Sequence, residues 1–107
     1  MKEVKTYPIG TIVGRFQVHE LHDAHKKLID QVANSHKKVI LFLGVPKVIG
    51  TKKNPLDFES RKKMIQHHYP DIIILALPDN KDDKKWTKEL EKRIREVYAT
   101  GDVLLYG

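Results

Sequence analysis

A glycine, an arginine and three histidines stand close together in residues 14–25, GRFQVHELHDAH, directly after an apolar run. His22 and His25 are three positions apart, so both imidazoles would project from one side of a helix that begins near residue 22. The N-terminus of such a helix presents unpaired backbone N–H groups and a partial positive charge, which together bind phosphate. Imidazole donors there would hydrogen-bond phosphate oxygens more strongly as negative charge develops at phosphorus. The stretch therefore predicts a phosphate site.

Two other interpretations of these histidines stay open. A pair of histidines at this spacing on a surface helix is often only solvated, and His19, His22 and His25 together could ligate a metal ion. No acidic residue that would orient metal-ligating histidines is identifiable from the sequence. We therefore expect phosphate rather than a protein-bound metal at this position.

The elements that position this site follow from four apolar runs, at residues 9–14, 39–44, 72–77 and 103–106. The runs are continuous rather than alternating and rich in β-branched residues, which is typical of strands buried on both faces of a parallel sheet. They begin about 30 residues apart, which is the size of a strand–helix–strand unit.

Helical patterns occupy the segments between the runs, at about residues 22–34, 58–68 and 84–99. Asp57 is the predicted N-cap of the second helix, and Thr100-Gly101 is a predicted stop for the third. The third helix carries an apolar stripe with a four-residue repeat, formed by Trp86, Leu90, Ile94 and Tyr98. Alternating strands and helices predict an α/β fold, a Rossmann-like open parallel sheet of four strands with helices on both faces. Ligands of such sheets bind at the carboxyl ends of the strands.

Length and composition bound the class of protein. The 107 residues suit a single domain, no apolar run is long enough for a membrane span, and the first ten residues lack the core of a secretory signal. The absence of cysteine fits a reducing compartment, so we expect a cytoplasmic protein without a membrane partner. The formal net charge of +6 favours anionic partners such as nucleotides. Because most lysines lie in charged helical stretches with few aromatic residues, we expect no nucleic acid partner.

Residues 14–25 also resemble the signature of a known family. GRFQ followed by HDAH resembles the signature of the nucleotidylyltransferase superfamily, whose members carry an HxGH motif where the first strand meets the first helix. The resemblance is closest to nicotinamide-nucleotide adenylyltransferases of the archaeal type and of the type fused to a Nudix domain, where the stretch commonly reads GRFQPFHxGH. Residues 52–61, KKNPLDFESR, resemble that family's RDPFxxxER segment. Residues 78–80, followed by Trp86, resemble its loop for nicotinamide mononucleotide.

The resemblance implies transfer of the adenylyl group of ATP to nicotinamide mononucleotide, which gives NAD and pyrophosphate. It implies that His22 and His25 are catalytic, and that Mg²⁺ is bound through the ATP phosphates. The residues that it implies for ATP and its phosphates are Gly14, Arg15, Phe16, Gln17, Lys53 and Arg61. The residues that it implies for the acceptor are Asp79, Asn80 and Trp86. A homo-oligomer is left open.

Three departures from the family pattern bear on these expectations. Two more residues than usual separate Phe16 from His22, which leaves His19 as a rival; we prefer His22 because only it forms HxxH with His25. Ala24 stands where the motif has a glycine that lets the nucleotide approach. After the fourth run the chain has no stretch like the family's ISTxxxR, so we expect a domain truncated at its C-terminus.

Several alternatives therefore remain. The protein could be another nucleotidylyltransferase, with pantetheine phosphate or glycerol phosphate as acceptor, or a nucleotide-binding module without catalysis. Trp86 could simply be a core residue of its stripe, Lys53 a solvated lysine beside a turn, and Arg61 a local cap or ion-pair partner.

Overall fold

The computed structural model of the protein describes residues 7–18, 20–45 and 57–106. All four strands are parallel and lie in one sheet in the order β3-β2-β1-β4. This confirms the predicted α/β, Rossmann-like class. The elements in chain order are β1 (Ile9–Gly14), α1 (Asp23–Ser35), β2 (Lys38–Val45), α2 (Phe58–His68), β3 (Ile73–Pro78), α3 (Asp83–Val97) and β4 (Val103–Tyr106).

The central strands are buried on both faces, which is why β1 and β2 are continuously apolar. Alternate side chains of a strand point to opposite faces, so each face packs its own helices. On one face, Ile12, Leu41 and Leu43 form a cluster with Ile29 of α1 and Ile65 of α2. On the other face, Ile40 and Phe42 form a cluster with Leu90 and Ile94 of α3. The helices thus hold β1 and β2 in place, and the carboxyl ends of these strands share one edge of the sheet.

The helix boundaries follow from caps that the side chains provide. Asp57 caps α2 as predicted, since its Oδ1 accepts a hydrogen bond from the Ser60 backbone N–H at 2.8 Å. Asp82 caps α3 by accepting from the N–H groups of Lys84 and Lys85 at 2.9 and 3.3 Å. The third helix ends at Val97 rather than at residue 99, with Tyr98 as its C-cap. In the described ranges, no helix is both long and apolar enough to cross a bilayer.

The Asp57 cap predicts a contribution to stability that is lost in acid. The pKa of Asp57 is lowered from its ordinary value of 3.8, chiefly because the carboxylate accepts the Ser60 hydrogen bond. A carboxyl group whose pKa is lowered by folding stabilises the fold above its unfolded pKa, and this contribution is lost as the pH falls through the lowered value. We expect Asp57→Asn, which keeps an acceptor but no charge, to lose less stability than the wild type between pH 6 and pH 2. Urea denaturation at the two pH values measures this, and equal losses in both proteins would contradict it.

Candidate functional site

One residue predicted to bind phosphate and the residues predicted to bind the acceptor lie together at the carboxyl ends of β1 and β3. Arg15, the first residue after β1, pairs with Asp79, the first residue after β3: its Nη2 donates to both carboxylate oxygens at 2.8 Å. A cavity of about 640 Å³ opens beside this ion pair and is lined by Arg15, Asp79, Asn80, Lys81 and Trp86. All three residues predicted for the acceptor therefore share one cavity with one residue predicted for ATP. Lys81 was not singled out from the sequence, although it lies in the same loop as Asn80.

Arg15 reaches Asp79 by passing over the end of β2, and Gly44 leaves room for it. A Cβ at Gly44 would lie 3.3 Å from Nη1 of Arg15, which is tighter than an ordinary van der Waals contact. A backbone hydrogen bond also joins the ends of β3 and β2, since the Asp79 N–H donates to the Val45 carbonyl at 2.9 Å. The ion pair thus lies above the carboxyl end of the second strand, at the edge where open α/β sheets bind ligands.

The turn after Arg15 is shaped by Phe16, whose side chain is 8% exposed and packs in the cluster that contains Ile29 of α1 and Ile65 of α2. Its φ of 50° lies in the left-handed region, which costs a residue other than glycine about 1–2 kcal/mol. The Phe16 ring folds back over Gly14, where a Cβ would lie 2.8 Å from the ring. In the structure, Gly14 and Phe16 therefore shape the turn by their packing. Gln17 lies half-buried in the same turn. That these three residues contact ATP stays a prediction.

The two predicted catalytic histidines lie at the N-terminus of α1. His22 is the N-cap and His25 the third residue of the helix, and their ring centroids are 5.4 Å apart. The predicted placement of both imidazoles on one side of the first turn is thus what the structure has. The His25 ring also packs against the Phe16 ring, with centroids 5.1 Å apart, and this contact links the helix start to the turn after β1.

A backbone hydrogen bond determines which nitrogen of His25 carries the proton. The His22 N–H donates to Nδ1 of His25 at 3.2 Å. Since an N–H can only donate, Nδ1 must accept with its lone pair, and the proton of the neutral ring is then on Nε2. The Nε2–H of His25 is therefore a donor whose position is fixed by the helix start and by Phe16.

Arg61 takes a position that the sequence did not reveal. Its side chain is 1% exposed, and it donates from Nη1 to the carbonyls of Arg15 and Gly44 at 2.9 and 2.8 Å, and from Nε to the Asp57 carbonyl at 3.1 Å. None of these hydrogen bonds goes to a carboxylate. Burial lowers the pKa of Arg61, and the charge of Arg15 lowers it further. The observed role is to hold the ends of β1 and β2 to α2; that Arg61 also contacts phosphate stays a prediction.

Two predicted features lie outside the described residues. Lys53, predicted to bind phosphate, and His19, the rival of His22, fall in the parts of the chain that the structure does not describe. Among residues 7–18, 20–45 and 57–106, no three histidine, aspartate or glutamate side chains come together to hold a metal ion. The arrangement as described can bind an anion at the α1 N-terminus and at Arg15.

Comparison with known proteins fits this geometry. A family model described as cytidylyltransferase-like matches residues 11–104. This chain belongs to the cytidylyltransferase-like family. The cytidylyltransferase-like match runs from within β1 to within β4, so the elements that build the site are those of a nucleotidyltransferase domain.

Two individual proteins are similar to the cytidylyltransferase-like chain. A nicotinamide-nucleotide adenylyltransferase of Thermococcus sibiricus is 28% identical over 105 residues, an alignment that covers 90% of this chain and 55% of that protein. The crystal structure of a bifunctional NMN adenylyltransferase/ADP ribose pyrophosphatase of Francisella tularensis, complexed with AMP and a manganese ion, superposes with a TM-score of 0.81 at 28% identity. That alignment covers 94% of this chain and 32% of the other. The chain thus spans about half the length of the curated relative that it matches.

Proposed function

We propose that this protein transfers the adenylyl group of ATP to nicotinamide mononucleotide, forming NAD and pyrophosphate. One observation carries the proposal: a single cavity joins Arg15, at the end of β1, to Asp79, Asn80 and Trp86 after β3. The first residue belongs to the predicted triphosphate site and the other three to the predicted acceptor site. A reaction between two bound nucleotides requires that their sites adjoin in this way.

The reaction needs no nucleophile from the protein. A phosphate oxygen of nicotinamide mononucleotide attacks the α-phosphorus of ATP, and the bond from that phosphorus to the bridging oxygen of the β-phosphate breaks, so pyrophosphate leaves. The protein must hold two anions in line and stabilise the charge that develops on the oxygens. His22 and the Nε2–H of His25 would donate to those oxygens, while Arg15 offsets phosphate charge.

Mg²⁺ would enter with the substrate. The described residues form no cluster of metal ligands, whereas the ATP phosphates are themselves the oxygen ligands that Mg²⁺ prefers. Bound to them, the ion offsets the negative charge of the triphosphate. The protein's own contribution at the phosphates is then the set of donors on α1 and Arg15.

The acceptor side of the cavity suits a cationic aromatic ring. Nicotinamide mononucleotide carries a positively charged pyridinium ring, which is attracted both to the face of an indole and to a carboxylate. Trp86 is half-buried at the start of α3 and offers the indole, and Asp79 offers the carboxylate. Pantetheine phosphate and glycerol phosphate have neither a ring nor a cationic centre for these two groups.

A panel of substrates tests the proposal. We expect pyrophosphate release from ATP with nicotinamide mononucleotide, and little or none with pantetheine phosphate or glycerol 3-phosphate, or with CTP in place of ATP. Release with CTP and glycerol 3-phosphate alone would replace the proposed substrates with those of a cytidylyltransferase.

Calorimetric titration with Mg–ATP, run beside the turnover assay, tests a second candidate function. A nucleotide-binding module without catalysis is favoured by Ala24, which is exposed in the first turn of α1 where the family motif has glycine. Binding of Mg–ATP without pyrophosphate release for any acceptor would establish the module. Turnover with nicotinamide mononucleotide would exclude it.

A further inference from the structure

Arg15 and Asp79 are assigned to different substrates and yet bind each other. In the proposed reaction Arg15 serves the triphosphate and Asp79 the acceptor, but in the structure one guanidinium nitrogen of Arg15 is held by both oxygens of Asp79. The carboxylate that should meet the pyridinium ring is therefore already occupied by an arginine. The two substrate roles rest on the proposed function, and they require that the ion pair separate when ATP binds Arg15.

The ion pair is accessible and only weakly held. The Arg15 and Asp79 side chains are 46% and 37% exposed, and pairs with such exposure contribute little because water competes for both partners. A triphosphate pairs with the planar donors of arginine as a carboxylate does, but it carries several negative charges rather than one. Phosphate can therefore displace Asp79 from Arg15 at small cost.

The backbone on both sides of the pair is fixed, so the exchange involves side chains alone. Arg61 holds the Arg15 carbonyl at 2.9 Å, and the Asp79 N–H is bonded to the Val45 carbonyl at 2.9 Å. Neither the turn after β1 nor the end of β3 has to move for Arg15 to change partners. Asp79 then stays at the wall of the cavity with its carboxylate released.

We propose that ATP takes Arg15 from Asp79 and thereby prepares Asp79 for the acceptor, so that the two substrates bind with positive cooperativity. Binding of the triphosphate would remove the partner that occupies the carboxylate, and the carboxylate would then attract the pyridinium ring. By thermodynamic reciprocity the acceptor must favour ATP binding by the same factor. The weakness of exposed ion pairs limits that factor to about two- to fivefold.

Calorimetric titration of four proteins with Mg–ATP tests the exchange: the wild type, Asp79→Asn, Arg15→Gln and the double variant. We expect Asp79→Asn to tighten ATP binding about two- to fivefold when Arg15 is present, because the Asp79 carboxylate no longer competes with phosphate for the guanidinium. In the Arg15→Gln background the same substitution is expected to change ATP affinity little. This difference isolates the pair from the general removal of negative charge. Asp83→Asn, which removes one charge from α3 without touching the pair, serves as a matched control and should behave alike in both backgrounds.

A second titration measures the coupling itself. The affinity of the wild type for nicotinamide mononucleotide should rise about two- to fivefold in the presence of a non-hydrolysable ATP analogue, and this rise should disappear in Asp79→Asn. Equal effects of Asp79→Asn with and without Arg15, or an acceptor affinity that ignores the analogue, would overturn the exchange while leaving the proposed reaction intact. Failure of every protein to bind Mg–ATP would instead overturn the proposed function, and the exchange with it.

Discussion

Replacing His25 with alanine is expected to lower the rate of pyrophosphate release about 10²- to 10³-fold, the usual cost of losing one preorganised donor to a developing negative charge. The reason is geometric: the His22 N–H occupies Nδ1 of His25, which leaves the proton on Nε2 as the donor. The expected loss is in kcat, measured at saturating ATP and nicotinamide mononucleotide. ATP affinity should change much less, because the donor acts mainly as charge builds on the phosphates.

Two further variants make this test specific. His25→Gln keeps an N–H donor close to the position of Nε2 and should fall between the wild type and His25→Ala. His67→Ala removes an exposed histidine at the end of α2, outside the site, and should leave kcat unchanged. Turnover of His25→Ala within a few-fold of the wild type would remove His25 from the catalytic machinery.

The fold was predictable because its signals are local. Each strand is one continuous apolar run, the central strands β1 and β2 are largely buried, and the bounds predicted for β1, α2 and β4 are those of the structure. Asp57 was recognisable as a cap because the hydrogen bond that it accepts comes from a residue three positions later. The predicted stop of α3 was late, because Tyr98 leaves the helical conformation before Thr100-Gly101 is reached. Local patterns thus decide which elements form, whereas packing decides where they end.

The candidate site was predictable in part, for the same physical reason. The histidine pair and the loop after β3 are each contained in a short stretch, and a parallel sheet brings such loops to one edge. The Arg15–Asp79 ion pair joins residues 64 positions apart, and the Arg61–Arg15 contact joins residues 46 apart. Such long-range contacts leave no mark in the local pattern. Trp86 packs against the cluster of Leu90 and Ile94 and also lines the cavity, and that it binds the acceptor stays a prediction.

Arg61 shows how burial changes the expected role of a charged residue. The family resemblance assigns it to phosphate, but its guanidinium lies beneath the turn that carries Arg15 and bonds to three carbonyls. A side chain in that position stabilises the site in the absence of nucleotide. If it were chiefly a phosphate ligand, its removal would affect ATP binding and leave the free protein unchanged.

Replacing Arg61 with alanine is therefore expected to lower the free energy of unfolding by about 2–4 kcal/mol in the absence of nucleotide, since the carbonyls of Arg15 and Gly44 lose a buried donor. Arg61→Lys keeps the charge but lacks the planar fork that reaches several carbonyls, so it should lose about half as much. Urea denaturation measures both values. ATP affinity should fall in the same order, because the turn that carries Arg15 loses its support.

Arg95→Ala is the matched control, because Arg95 is an exposed arginine in the last turn of α3 and its loss should change stability by about 0.5 kcal/mol or less. An Arg61→Ala protein as stable as the wild type that no longer binds ATP would make Arg61 a direct phosphate ligand. Loss of stability in step with loss of binding makes it the residue that positions Arg15. On that outcome one buried cation supports the exposed one, and the sheet edge keeps Arg15 placed for whichever anion, carboxylate or triphosphate, is bound to it.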